Sequence, residues 1–214
     1  MYAAKIFVFI AAVVSASPIS SLMQAETGSV LAAREAPKHY SGTWDKFPAK
    51  KTWKSFDALW KLNTKAMKAK GDTDSDLTNI KKALQSVGKK YGIEDRVLLA
   101  MMMQESHGDV GAITTYSQPD NFPTGGLFQC WKCPGFYGKH GLTLDQITSM
   151  VEGGAKHFKE NLSHWGNTME PKSVYPALRM YNSGNVNEKD LSSAPNATPA
   201  YVSDIAQRLG GWTD

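Results

Sequence analysis

The chain has 214 residues, of which 42% are hydrophobic and 21% charged. That is enough for one ordinary domain, too little for two large ones, and too apolar for a disordered chain. Its 24 Lys and Arg against 20 acids leave a net charge of +4, short of the clustered excess of a dedicated nucleic-acid binder, so no nucleic-acid partner is expected. The only two cysteines, Cys130 and Cys133, exclude a four-cysteine zinc site and a multi-bridge disulfide scaffold.

At the start, Lys5 precedes an apolar run from Ile6 to Val14, and Val14-Ser15-Ala16 fits the small-x-small cleavage rule. Residues 1–16 therefore read as a signal peptide, which implies a secreted, extracellular protein. The run is about half of what a bilayer span needs, and no other run is longer, so no membrane span is expected. Residues 17–40, rich in Ser, Ala and Thr, read as a flexible leader or pro-segment, which leaves 41–214 as the domain.

Within 41–70, aromatic residues interleave with lysines. From Trp53 the apolar positions continue through Phe56, Trp60, Asn63-Thr64 and Met67 at helical spacing. A docked amphipathic helix with its lysines outward explains this, and a cationic patch for an anionic polymer is the alternative. The polar break 71–76 offers N-cap residues for a second helix carrying Leu77, Ile80, Leu84, Val87 and Tyr91, which Gly92 ends. A third helix, 96–105, is apolar almost all round and belongs at the centre of the core. Between 107 and 141, Gly, Pro, Thr and Asn dissolve the pattern into loops or a small irregular β region. Helical spacing returns over 144–165, 175–181 and from Tyr201 to Leu209. The expected fold is a single, mainly α domain with a small irregular β/loop region.

Glu105 follows seven consecutive apolar residues and Gln104. A carboxyl group buried there loses hydration, its pKa rises, and it gains the property a general acid needs. A glutamate turned outward to solvent at the helix end is the other reading, although a negative charge there opposes the helix dipole. Cys130-Trp131-Lys132-Cys133 admits a redox motif, half a metal site or a small loop. With no βαβ pattern around it and an oxidising compartment expected, a local disulfide is favoured. His107, His140, His157 and His164 show no metal-ligand spacing and read as surface or packing residues, so no metal or cofactor is expected. Asn161-Leu162-Ser163 and Asn196-Ala197-Thr198 match the glycosylation sequon.

Glu105-Ser106, then Gly125-Gly126-Leu127-Phe128-Gln129, Met180-Tyr181-Asn182-Ser183-Gly184 and the late Tyr201 form an ordered series. It resembles the soluble lytic transglycosylase and goose-type lysozyme family over roughly 77–209. The resemblance implies a lysozyme-like α+β fold with Glu105 as the catalytic acid and Ser106 beside it. It implies that Gln129 binds the sugar, that Leu127 and Phe128 wall the cleft, that Tyr181 and Asn182 hold substrate or orient Glu105, and that Tyr201 lines the groove. Phe128 replaces the family's usual Met, and Met180 its usual Ala. The stretch 111–124 is longer than usual, so the family's loop serine has only Thr114 and Ser117 as candidates.

The activity so implied is cleavage of β-1,4 bonds in an N-acetylated aminosugar polymer by a monomer. Peptidoglycan is the first choice and chitin the runner-up. A non-catalytic wall-binding protein on the same fold is the rival from another class, against which the joint presence of Glu105, Gln129, Tyr181 and Asn182 argues. A hydrolase needs a second carboxylate, for which Asp109 and Asp120 are the candidates, whereas a lytic transglycosylase manages with Glu105 alone.

Overall fold

Ser55 starts the helical scaffold by accepting a hydrogen bond from the Ala58 amide at 3.3 Å, and α1 (Phe56–Ala69) follows in this computed structural model, which describes residues 38–116, 121–195 and 197–214. Its buried residues, Phe56, Leu59, Asn63 and Met67, fall at the spacing of one helical face. Trp53, which the spacing places in this helix, instead ends a 3-10 turn at Lys50–Thr52. Its indole donates to the Tyr175 hydroxyl at 3.1 Å. Thr73 and Asp76 form a reciprocal capping box that launches α2 (Asp74–Tyr91), and Gly92 ends it in the left-handed region at φ 64°.

Helix α3 (Asp95–Ser106) has no side-chain cap. Its stability comes from burial, since every residue from Val97 to Met103 is inside. Three short antiparallel strands follow, β1 (Thr115–Tyr116), β2 (Pro123–Gly125) and β3 (Cys130–Trp131), in the order β1-β2-β3. Thr124 is registered with Thr115 on one side and Trp131 on the other. A 3-10 turn, Gly126–Phe128, joins β2 to β3. A second capping box, Thr143 with Gln146, starts α4 (Leu144–Ser163). Pro171 at the first turn starts α5 (Pro171–Ser183), which is longer than the 175–181 stretch expected, and α6 (Tyr201–Leu209) closes the chain.

Around α3 pack α1, α2, α6 and the 126–128 turn, while α4 lies against α2, α5 and the same turn. The described residues thus form a mainly helical unit with a small sheet, within a compact body that spans Ala36–Asp214. Lys38, His39 and Tyr40, assigned to the leader on composition, belong to this unit: the Lys38 carbonyl and the Tyr40 amide both bond Ser203 Oγ on α6, at 3.2 and 2.9 Å. Residues 1–16, read as a signal peptide, residues 17–37 of the expected leader, Ser117, Asp120 and the sequon residue Asn196 lie outside the described residues. Among the described residues, no helix is long and apolar enough to cross a membrane.

Two adjacent glycines in the middle of α4 each cost the helix about 1 kcal/mol relative to alanine, and their environment explains them. A Cβ at Gly154 would lie 2.2 Å from the Phe128 ring, and one at Gly153 would lie 2.8 Å from the sulfur of Cys133. Gly154→Ala should therefore destabilise the protein by about 1–3 kcal/mol despite its better helix propensity. Urea denaturation at constant m-value measures this, and a stabilised variant would contradict the packing described.

Candidate active site

The apolar surface of α3 fixes where its last turn must lie, and that turn carries Glu105, which is half-buried. The hydroxyl of Tyr201, a buried residue at the first turn of α6, donates to Glu105 Oε1. Burial pushes the Glu105 carboxyl up to about 7, against the opposing pull of that hydrogen bond. Burial also raises the phenol of Tyr181, and the Glu105 charge raises it further, so the two groups share one low-dielectric space. The Tyr181 hydroxyl donates to the Phe128 carbonyl at 2.8 Å. Its ring meets the edge of His157 from α4 at a centroid distance of 4.8 Å. Glu105, Tyr181 and Tyr201, distant in sequence, are thus brought together from α3, α5 and α6.

Asn182 acts one step away from the carboxyl. Its Oδ1 accepts from Arg179 and from the Thr198 amide, the latter at 3.1 Å. Arg179, fully buried, also donates to the carbonyls of Leu191, Thr198 and Pro199 at 3.3, 3.1 and 3.4 Å. Its guanidinium lies 6.0 Å from the centre of the Tyr201 ring. This clamp holds the segment that leads into Tyr201, and it links Asn182 to Glu105 through the backbone and Tyr201. Sequence reasoning missed Arg179. The signal was a charged residue between Leu178 and Met180 at a position one turn on from Tyr175, where the helix face is apolar.

Other expected site residues serve differently. Leu127 and Phe128 are both fully buried, so their side chains belong to the core and do not wall a cleft. The Phe128 ring fills the groove opened by Gly154. Ser106 is buried as well, with its hydroxyl 3.2 Å from the Met102 carbonyl and 3.0 Å from that of Leu127, and it accepts from the Gly108 amide at 3.2 Å. It braces the 126–128 turn against α3 and is not presented to a ligand. Gln129 sits in the left-handed region at φ 43°, and its Nε2 donates to the carbonyls of Ile113 and Gly126 at 3.0 and 2.9 Å. Thr114, a candidate for the family's loop serine, keeps its Oγ1 buried without a hydrogen-bond partner. Cys130 and Cys133 form the expected disulfide directly after Gln129.

Asp109 accepts from the Gly111 amide at 2.7 Å, and its charge acts on Asp72, with no effect on Glu105. Among the described residues, no second carboxylate couples to Glu105. His140, read as a surface or packing residue, is exposed and faces the buried acids Asp72 and Asp76. Two surface cavities, about 400 Å³ at Trp60, Lys68 and Lys81 and about 330 Å³ at Asn185 and Ser193, are lined by neither Glu105 nor its two tyrosines. The chemistry therefore selects the α3 terminus over them.

No protein-family model matches the chain, and no curated protein matches it.

With a native pKa of about 7 and an unfolded value near that of a free glutamate, about 4.3, Glu105 holds a proton in the folded state that the unfolded chain releases. Stability must then fall as pH rises from about 4.3 to about 7 and stay reduced above that. Glu105→Gln removes the ionisation, so it should be more stable than the parent at pH 8 by roughly 2–3 kcal/mol, with the difference closing near pH 4. Urea unfolding at the two pH values checks this, and a difference independent of pH would refute the buried-acid assignment.

Proposed function

We propose that the protein is a secreted glycosidase-type enzyme that cleaves β-1,4 bonds of peptidoglycan, with Glu105 as its acid and base. The observation that carries this is a half-buried carboxyl held protonated near neutral pH and oriented by a buried tyrosine. The ordered series of sequence motifs around Gln129, Tyr181 and Tyr201 supports it, and the disulfide is compatible with secretion. In this mechanism, Glu105 donates its proton to the glycosidic oxygen as the C1–O bond breaks. The buried setting favours the neutral acid beforehand, and the Tyr201 hydroxyl stabilises the carboxylate afterwards.

With Asp109 turned toward Asp72, no described carboxylate acts on Glu105 as a partner base would. The reading is therefore lytic transglycosylase chemistry: the muramyl residue's own 6-hydroxyl attacks C1 and gives its proton back to Glu105. The product is a 1,6-anhydro sugar without a new reducing end.

Glu105→Gln should lower turnover of bacterial cell walls by about 10²–10⁴-fold, measured by turbidity loss. Mass spectrometry of the digest should find products lighter by one water than hydrolysis gives. A purely hydrated product would mean that a water-activating base operates, and cleavage of chitin oligomers alone would replace peptidoglycan as the substrate. Tyr201→Phe removes the hydrogen bond that lowers the Glu105 pKa. The alkaline limb of its kcat/KM profile should therefore move to higher pH, whereas a tyrosine that only packs would leave the limb in place.

A further inference from the structure

On the opposite side of the turn that follows α3, three segments converge. Asp72 comes from the α1–α2 connection, Asp76 from the first turn of α2, and His140 from the loop before α4. One ligand atom from each lies within 4.8 Å of the others. Asp109 adds a third carboxylate: a Cβ at Gly111 would meet Asp109 Oδ1 at 3.3 Å and His140 Nε2 at 3.2 Å, so those two groups flank one point.

The protein alone leaves one oxygen of this cluster, on Asp72, without a partner. Asp72 is 5% exposed, and its Oδ1 accepts from the Val110 amide at 3.1 Å. Its Oδ2 is buried with no hydrogen-bond partner. A buried carboxylate oxygen left this way is expensive. The neighbouring imidazole faces the other oxygen, with His140 Nδ1 3.4 Å from Asp72 Oδ1. That separation is long for an N–H···O bond. It equals the edge of a tetrahedron built on metal–ligand bonds of about 2.1 Å, which is about 3.4 Å. Asp76 is held rigidly in place, because its carboxylate accepts from the amides of Thr73, Gly141 and Leu142 at 3.0, 2.8 and 2.7 Å. The imidazole is partly open to solvent, which gives an ion a route in.

We propose that Asp72, Asp76 and His140 bind one divalent transition cation of the Zn²⁺ type. A mixed imidazole and carboxylate set suits such an ion better than Ca²⁺, which takes six or more oxygens. Bound there, it would tie the 109–111 turn, the α1–α2 connection and the loop before α4 to one point.

The test uses the mature protein after EDTA treatment, titrated with ZnCl₂ and separately with CaCl₂ at pH 7.5. Calorimetry should find one Zn²⁺ per chain, and Tm should rise on the order of 5 °C at 100-fold excess over Kd. His140→Ala, at a partly exposed position, and Asp72→Asn, which relieves charge repulsion, should each fold and each weaken Zn²⁺ at least about 10-fold. No stoichiometric Zn²⁺ binding up to millimolar concentration would overturn the proposal. So would unchanged binding in both variants, which places the ion on other histidines, or a preference for Ca²⁺.

Discussion

The fold turns on the burial of one helix surface. Seven apolar residues from Val97 to Met103 leave α3 no solvent-facing side, so its axis is fixed by packing on all sides and its last turn cannot drift. Glu105 inherits that position. At the C-terminal end of a helix, where exposed carbonyls disfavour negative charge, and with little water to solvate it, the carboxyl is more stable neutral. The same constraint that makes the core thus sets the protonation state of the Glu105 carboxyl. A surface glutamate with an identical hydrogen bond would be ionised at neutral pH.

Holding that proton is useful only if the carboxyl is also oriented, and here a buried charge does the positioning. Arg179 is expensive to bury, and its Nε finds no partner. Its remaining donors gather Asn182 of α5 and three carbonyls of the segment before α6. That segment has few apolar residues to dock it, so directional bonds fix its course where hydrophobic burial would not. On the far end of α6, Arg208 makes a two-pronged pair with Asp214 at 3.0 and 2.8 Å and donates to Gln104, the neighbour of Glu105. Both ends of α6 are therefore referenced to α3, which keeps Tyr201 over the carboxyl.

Much of this was legible in the sequence, for reasons that differ by residue. The helices followed from period, and the start of α2 from the N-cap residues of the polar break 71–76, because caps and periodicity are local. Glu105, Tyr181, Asn182 and Tyr201 were legible as a series, and the disulfide from there being only two cysteines. Leu127 and Phe128 were assigned to a cleft wall from the resemblance, whereas both are fully buried. The cause of their burial, the groove at Gly154, lies in another helix. Arg179 hid inside a helical pattern, and its partners are loop carbonyls that no composition reveals. His140 and Asp72 had no recognisable spacing, since their meeting depends on how the loop before α4 folds back onto the start of α2.

One turn separates the two chemistries of the molecule. After Ser106, the chain enters the left-handed region at His107, φ 54°, and stays there at Gly108, φ 78°. Any Cβ at Gly108 would fall 2.5 Å from the Met67 side chain, so α1 itself dictates a glycine and a tight reversal. The reversal carries Asp109 away from Glu105 and toward Asp72, where its charge adds to an acid cluster. Had the helix continued by one more turn, Asp109 would have stood one turn beyond Glu105 on the same face, near enough to couple to it. The packing of Met67 against Gly108 therefore has two consequences at once. It leaves Glu105 without a carboxylate partner among the described residues, and it concentrates negative charge around His140, where a cation would offset it.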